Sequence, residues 1–234
     1  MTLQALIFDV DGTLAETEEA HRRAFNDTFA EFGLDWRWSR ALYRELLKTT
    51  GGKERMRAYV TDHLGGDAAQ IPVAEIHRRK TARYGELISQ GSVGLRPGVE
   101  ALIRDATNKG CRLAVATTTN VPNVDGLVRA TLGVPAQEVF EVIAAGDMVT
   151  AKKPAPDVYQ LALGGLKLPA STCLALEDSE NGLKSARAAG IACLVCPSAY
   201  TDHDDFSGAA ALVQSYEEIS SLEKLAAATA GLSR

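Results

Sequence analysis

Leu3-Gln-Ala-Leu-Ile-Phe8-Asp9-Val10-Asp11-Gly12-Thr13 is a strand-length apolar run that ends in two carboxylates two residues apart. The run shows little alternation, which is how a strand buried on both faces reads. Two acids at the carboxyl end of such a strand are costly to bury without partners. At an effective dielectric of 20, a phosphate dianion ~4 Å from one carboxylate is repelled by on the order of 8 kcal/mol, so acids placed to attack phosphate need a cation. Magnesium, with its preference for oxygen ligands, is the natural one. Acids that merely cap a turn account for either residue alone but poorly for Asp-x-Asp-Gly-Thr after an apolar strand.

Working outward, Cys111–Ala116, Val142–Ala145, Cys173–Leu176 and Ile191–Val195 repeat the buried-strand pattern. Amphipathic segments at Val99–Asn108, Pro122–Leu132, Pro156–Leu166 and Ser179–Ala189 fall between them. Strands that alternate with helices predict an α/β fold, a doubly wound, Rossmann-like parallel sheet. One region departs from this. From Thr17 to Gly91 only helical patterns occur, at about Thr17–Phe32, Ser39–Leu47, Lys53–Leu64 and Pro72–Ile88. The expected organisation is a core domain of residues 1–16 and 91–234, with an inserted α-helical cap domain over 17–90. An insertion directly after a first strand sits over the carboxyl ends of the sheet, where α/β sites lie.

Composition narrows the function classes. The 234 residues are 46% hydrophobic and 24% charged, which excludes a disordered or collagen-like chain. A net charge of −5 argues against a general nucleic-acid binder. The insert carries 13 basic and 11 acidic side chains, against 12 and 19 in the remainder, so the positive charge is concentrated in the cap. No stretch approaches the ~18 apolar residues of a membrane helix, and Met1–Asp9 has neither a basic start nor a cleavage site, so a cytoplasmic location is expected. Of the four cysteines, Cys193 and Cys196 form a Cys-x-x-Cys, but on a buried strand and with no second ligand pair to complete a zinc site. Core packing is the expectation for them. No long exposed apolar stripe demands a partner, so a monomer is expected.

Three further strand ends supply candidate chemistry. Leu113-Ala-Val-Ala-Thr117 delivers a hydroxyl, with Thr118, Thr119 and Asn120 leading into a helix start whose free N–H groups can hold phosphate. Taken alone, a threonine at a helix start is most often a cap. Ala151-Lys152-Lys153-Pro154 places cations at the unfavourable end of a helix, so these lysines should answer an anion, unless they are ordinary surface residues. Leu174-Ala-Leu-Glu177-Asp178-Ser179 ends a strand in two acids, of which Asp178 could cap a helix or bind a metal.

This set, in this order, resembles the haloacid-dehalogenase-like phosphatase superfamily, on Asp9-Val-Asp11-Gly-Thr, Thr117, Lys153 with Pro154, and Glu177-Asp178. The resemblance implies that Asp9 is the nucleophile that takes up the phosphoryl group and that Asp11 is the general acid and base. It implies Mg2+ held by Asp9, the Asp11 carbonyl and Asp178, with Glu177 as a further ligand or an orienting group. Thr117 and Lys153 would hold the phosphoryl oxygens, while Gly12 and Thr13 would shape the turn that lets the cap open and close.

Within the superfamily the chain is similar to the β-phosphoglucomutase-like branch, through Glu16-Thr17-Glu18…His21 and Lys153-Pro-Ala-Pro-Asp157. It is more similar still to the CbbY type, through Thr49-Thr-Gly-Gly-Lys53-Glu-Arg55, His77-Arg-Arg-Lys80 and Ala116-Thr-Thr-Thr-Asn120-Val-Pro-Asn123. That resemblance implies a phosphatase of a small sugar bisphosphate, notably xylulose-1,5-bisphosphate, a misfire product that inhibits Rubisco of the Calvin cycle. Substrate contacts are then expected from Glu18, His21, Gly51, Gly52, Lys53, His77, Arg78, Lys80, Thr118, Asn120 and Asn123. Gly51 and Gly52 would let backbone approach a second phosphate, with His77, Arg78 and Lys80 converging on the same side. Glu18 and His21 would face the catalytic loop and bond sugar hydroxyls. Read without the resemblance, Glu18 is equally a surface acid, His21 a satisfied core histidine and Gly51-Gly52 a hinge. The aromatic cluster Trp36, Trp38 and Tyr43 reads as cap core. A sugar phosphomutase shares every catalytic residue and is the enzyme alternative. A phospho-accepting receiver domain is the non-enzymatic one, which the long helical insertion disfavours.

Overall fold

Ala5–Phe8 (β1) lies in the middle of a six-stranded, fully parallel sheet in the computed structural model, which describes residues 3–91 and 93–230. The other strands are β2 (Arg112–Ala116), β3 (Val142–Ala144), β4 (Cys173–Glu177), β5 (Ala192–Val195) and the two-residue β6 (Ala211–Leu212). Their order across the sheet is β3-β2-β1-β4-β5-β6. The chain winds outward from β1 on one side and then returns to build the other, so the order reverses at β1 and β4. This topological switch point is where α/β folds place ligands, at the carboxyl ends of the strands. Register fixes the detail: Phe8 pairs with Val115 on one side and Leu176 on the other. One residue further on, Asp9 and Glu177 come side by side on the same face.

Helices cover the sheet because each has an apolar stripe and readable ends. α5 is Val99–Asn108 and α6 is Val121–Leu132, which starts at Asn120, whose side chain accepts from the Asn123 N–H, and carries Pro122 in its first turn. α7 is the single turn Ala136–Val139, and α8 and α9 are Asp157–Leu166 and Glu180–Ala188. α10, Leu222–Thr229, buries only Leu225. Beneath them the strands offer small side chains, Ala114, Ala116, Ala144 and Ala175, against which Val158, Tyr159, Ala162 and Leu166 of α8 pack. Small strand residues let a helix approach closely, and that is how Tyr159 comes to lie under the strand ends.

The chain divides into two compact units, one of residues 1–16 and 94–234 and the other Thr17–Val93. The second is a helical cap of α1 (Glu18–Glu31), α2 (Arg40–Leu46), α3 (Gly52–Ala58) and α4 (Val73–Ser89). The expected helix over Lys53–Leu64 is continuous but changes type: α3 runs to Ala58 and a π-helical stretch, Tyr59–His63, carries it on. Its core is aromatic. Phe25, Phe29, Trp38 and Tyr43 are fully buried, and Trp36 packs edge-on against Phe29 and Tyr59. Asn26 holds the Trp38 backbone through both its amide atoms, at 2.8 and 2.9 Å. Cys111, Cys173, Cys193 and Cys196 are buried free thiols.

Candidate active site

Asp9 follows β1 directly, and its N–H donates to the Leu176 carbonyl at 3.0 Å, which continues the sheet by one residue and fixes its backbone. Its Oδ1 accepts from Lys153 Nζ at 2.7 Å, and the same ammonium donates to Glu177 Oε1 at 2.6 Å. Tyr159 OH donates to that Glu177 oxygen, also at 2.6 Å. All these groups are buried. Lys153 therefore stands between two acids, while Lys152 donates to the Gly146 carbonyl and has no ion pair among the described residues. Burial pushes the Asp9 carboxyl up, and Glu177 and Asp11 add to this against the opposing pull of Lys153, so that it titrates at about 8. Burial also disfavours the Lys153 ammonium, but Asp9 and Glu177 outweigh it and its net shift is upward.

The turn after Asp9 is tightly specified. Thr13 and Leu14 both donate to the Val10 carbonyl, and Gly12 donates to Ala15. Gly12 has φ +86°, and a Cβ there would overlap Asp178 Oδ2, so only glycine fits. Asp178 itself is not the cap of α9. Ser179 is, accepting from the Gly182 N–H, and the Asp178 carbonyl accepts from Thr201 Oγ1 at 2.6 Å. Thr117 is buried at the end of β2, its N–H bonded to Ala144 O and its Oγ1 accepting from Thr119 N–H at 3.2 Å. Thr118 is half-buried beside it. Asn120 and Asn123 are engaged locally: Asn120 caps α6, and Asn123 Nδ2 donates to Thr119 Oγ1 at 2.9 Å.

Asp9, Glu177 and Asp178 each offer a carboxylate oxygen, and these oxygens lie within 4.8 Å of one another. Glu177 Oε2 is buried and has no hydrogen-bond partner among the described residues. Three acids against one ammonium leave an excess of negative charge on hard oxygen donors, which fits Mg2+.

The cap residues fall into two groups. His21, His77 and Lys80 come together. Lys80 Nζ and His21 Nδ1 are 2.6 Å apart, the His21 ring stacks on Tyr84, and Lys80 is buried over the Phe25 ring. The His77 ring occupies the space where a Cβ on Gly52 would sit, 2.6 Å from Nε2, so that glycine provides room for the histidine. The corresponding space at Gly51 is filled by the Glu54 carboxylate. Burial holds His77 down to about 3, with Lys80, Lys53, His21 and Arg55 adding their repulsion. The cluster is thus cationic in character. Arg78 does not join it. It is exposed, and at ~100° per residue it lies ~160° round α4 from Lys80. Glu18 is half-buried and accepts from Tyr43 OH at 2.7 Å, an internal bond of the cap.

A profile of haloacid dehalogenase-like hydrolases matches residues 3–190. The chain is 56% identical over 223 residues to the protein CbbY of Cereibacter sphaeroides, covering 95% of this chain and 96% of that one. To the protein CbbY of Rhodobacter capsulatus it is 60% identical over 209 residues, 89% and 92% of the two chains. The chain belongs to the haloacid dehalogenase-like hydrolases, in their CbbY branch. The fold agrees: the crystal structure of an Asp-to-Asn variant of CbbY from Rhodobacter sphaeroides, in complex with xylulose-1,5-bisphosphate, superposes with a TM-score of 0.91 at 55% identity, covering 96% of this chain and 99% of that one.

For this CbbY-branch hydrolase, three residues at the site and one inside the cap escape a reading of the sequence. Tyr159 braces Glu177 and sits in an α8 stripe that otherwise looks like plain core. Ser198 and Thr201 lie in the loop after β5, with Thr201 Oγ1 accepting from Ser198 N–H at 3.0 Å while it holds Asp178. Arg55 is buried in the cap, bonded to Tyr43 OH at 3.0 Å and to two carbonyls. A charged or hydroxyl residue inside an apolar stretch is the signal each one offers. It identifies them as partnered without naming the partner.

Proposed function

We propose that this protein is a Mg2+-dependent phosphatase that hydrolyses a small sugar bisphosphate, xylulose-1,5-bisphosphate, through an aspartyl-phosphate on Asp9. The observation that carries this reading is the buried Asp9–Lys153–Glu177 contact at the switch point, with Asp178 within reach of the same cation. Asp9 Oδ attacks phosphorus and the sugar oxygen leaves. Asp11 protonates that oxygen and then takes a proton from the water that cleaves the acyl-phosphate. Thr117 and Lys153 hold the phosphoryl oxygens. Glu177 and Tyr159 fix the lysine. Asp9, Asp178 and the Asp11 carbonyl would hold Mg2+, which supplies charge neutralisation for the dianion and for the developing negative charge.

The second phosphate is assigned to the cap. Lys80, His77 and Lys53 supply donors, and two features support their role: the buried Lys80 ammonium lies 2.6 Å from the His21 imidazole, and His77 is held neutral by burial and by the surrounding cations. A dianion there relieves that repulsion. Glu18, His21, Gly51, Gly52, Thr118, Asn120 and Asn123 then act by shaping the ligand surface and holding the donors. Four free thiols suit a cytoplasmic protein, and the exposed large apolar side chains Leu64, Val121, Met148 and Leu212 come from four separate segments, as suits a monomer. Light scattering tests the latter.

The deciding experiment is a panel of sugar mono- and bisphosphates with Mg2+, read by phosphate release without a bisphosphate primer. Stoichiometric release, greatest for xylulose-1,5-bisphosphate, is expected. Isomerised monophosphate with little release would make the protein a mutase, and an acyl-phosphate that persists without turnover would make it a receiver.

A further inference from the structure

Arg96, just after the chain re-enters the core, gathers carbonyls from two separate loops. Its Nη1 donates to Gly12 O at 2.5 Å and to Cys196 O at 2.7 Å. Nη2 donates to Pro197 O at 2.7 Å and to Cys196 Sγ at 3.2 Å. Its backbone N–H donates to Leu14 O at 2.8 Å. The guanidinium lies over the Tyr216 ring, and the exposed Glu16 faces Nε at 3.4 Å. A planar fork that reaches three converging carbonyl dipoles is what an arginine can do and a lysine cannot.

We propose that Arg96 is a positioning residue for phosphoryl transfer. It fastens the Asp11–Gly12 turn after β1 to the loop after β5, and that second loop carries Thr201, which bonds Asp178, and Ser198, which bonds Thr201. The two loops must keep their spacing to within tenths of an ångström, because Gly12 lies directly against Asp178 Oδ2 with no room for a methyl group. Without the guanidinium, Gly12, Cys196 and Pro197 present carbonyl oxygens to one another with nothing to bind them, and the turn is free to lift from Asp178. Arg96 thereby acts on Asp11 and Asp178 without touching the substrate.

This inference rests on the phosphatase reading, and phosphate release from an aryl phosphate by the unaltered chain tests that reading separately. The probe is Mn2+ binding, read by the paramagnetic resonance of the free ion with no substrate present, alongside turnover of an aryl phosphate and of the bisphosphate. Arg96→Gln and Arg96→Lys are expected to weaken Mn2+ binding and lower kcat by about 10–100-fold, the usual effect of losing a group that orients ligands. The kcat loss should be equal for both substrates, with KM little changed. Tyr216→Phe keeps the ring, and its hydroxyl has no partner among the described residues, so it should leave all three readings unchanged. Unaltered Mn2+ binding and turnover in a folded Arg96→Gln protein overturns the proposal, as does a loss confined to the bisphosphate. If Arg96→Gln does not fold, Arg96→Lys, which keeps stem and charge, decides by the same readings, and wild-type behaviour there overturns it.

Discussion

Without magnesium, the folded core should bind a proton that the unfolded chain does not, and stability should record it. Asp9 titrates at about 8 in the fold against 3.8 as a free side chain. A raised carboxyl contributes stability that is fully present below ~4 and lost as pH rises through ~8, with a slope of up to about 1.4 kcal/mol per pH unit. Between about pH 5 and pH 7 that amounts to about 3 kcal/mol. At about 2–4 °C per kcal/mol for a chain of this size, the midpoint falls by roughly 6–12 °C. Asp9→Asn cannot take up this proton and leaves Lys153 paired with Glu177, so its melting temperature should fall less over the same range. The assay is thermal unfolding of both proteins in chelator and in saturating Mg2+. The wild-type excess slope should appear in chelator and vanish with the cation, which competes with the proton and stabilises the fold by mass action. Parallel slopes for the two proteins in chelator would refute the reasoning.

Lys80→Met or Lys53→Ala should raise KM for the bisphosphate about 10–150-fold, corresponding to ~1.5–3 kcal/mol for a charge-assisted contact, and leave KM for an aryl phosphate unchanged. In the free protein His77 should titrate at about 3 by ring 15N resonances, and bisphosphate bound to the Asp9→Asn protein should move it upward. With its folded value below the unfolded ~6.5, the folded chain binds fewer protons between ~6.5 and ~3, so stability falls on acidification through that window. His77→Gln should flatten that loss in chemical denaturation. Thr201→Val should weaken Mn2+ binding about 10-fold, and Thr201→Ser should restore it.

The sheet and the core of the site were legible because burial on both faces leaves an unmistakable sequence pattern, and because acids at the ends of such strands are conspicuous. Asp9, Lys153 and Asp178 stand out for that reason. β6 was not readable, since Ala211–Leu212 is two residues long, and α10 buries a single leucine and so has a thin apolar stripe. In the cap, residue type was a poorer guide. Glu18 and His21 look like hydrogen-bonding contacts to a ligand's hydroxyls, yet each has an internal partner, Tyr43 and Lys80. Arg78 carries the right charge on the wrong side of α4. Gly52 reads as an anion cradle, whereas its missing Cβ makes room for His77. Such assignments depend on which partner a side chain meets across tens of residues, and periodicity does not encode that.

The central claim concerns the atom that first bonds phosphorus. Quenching the enzyme with Mg2+ and bisphosphate within its first turnover, followed by borohydride reduction and peptide mass analysis, should convert Asp9 alone to homoserine, with the trapped species forming and decaying as fast as phosphate appears. Full-rate phosphate release with Asp9 unmodified at every time point, or reduction at another acid, would contradict it.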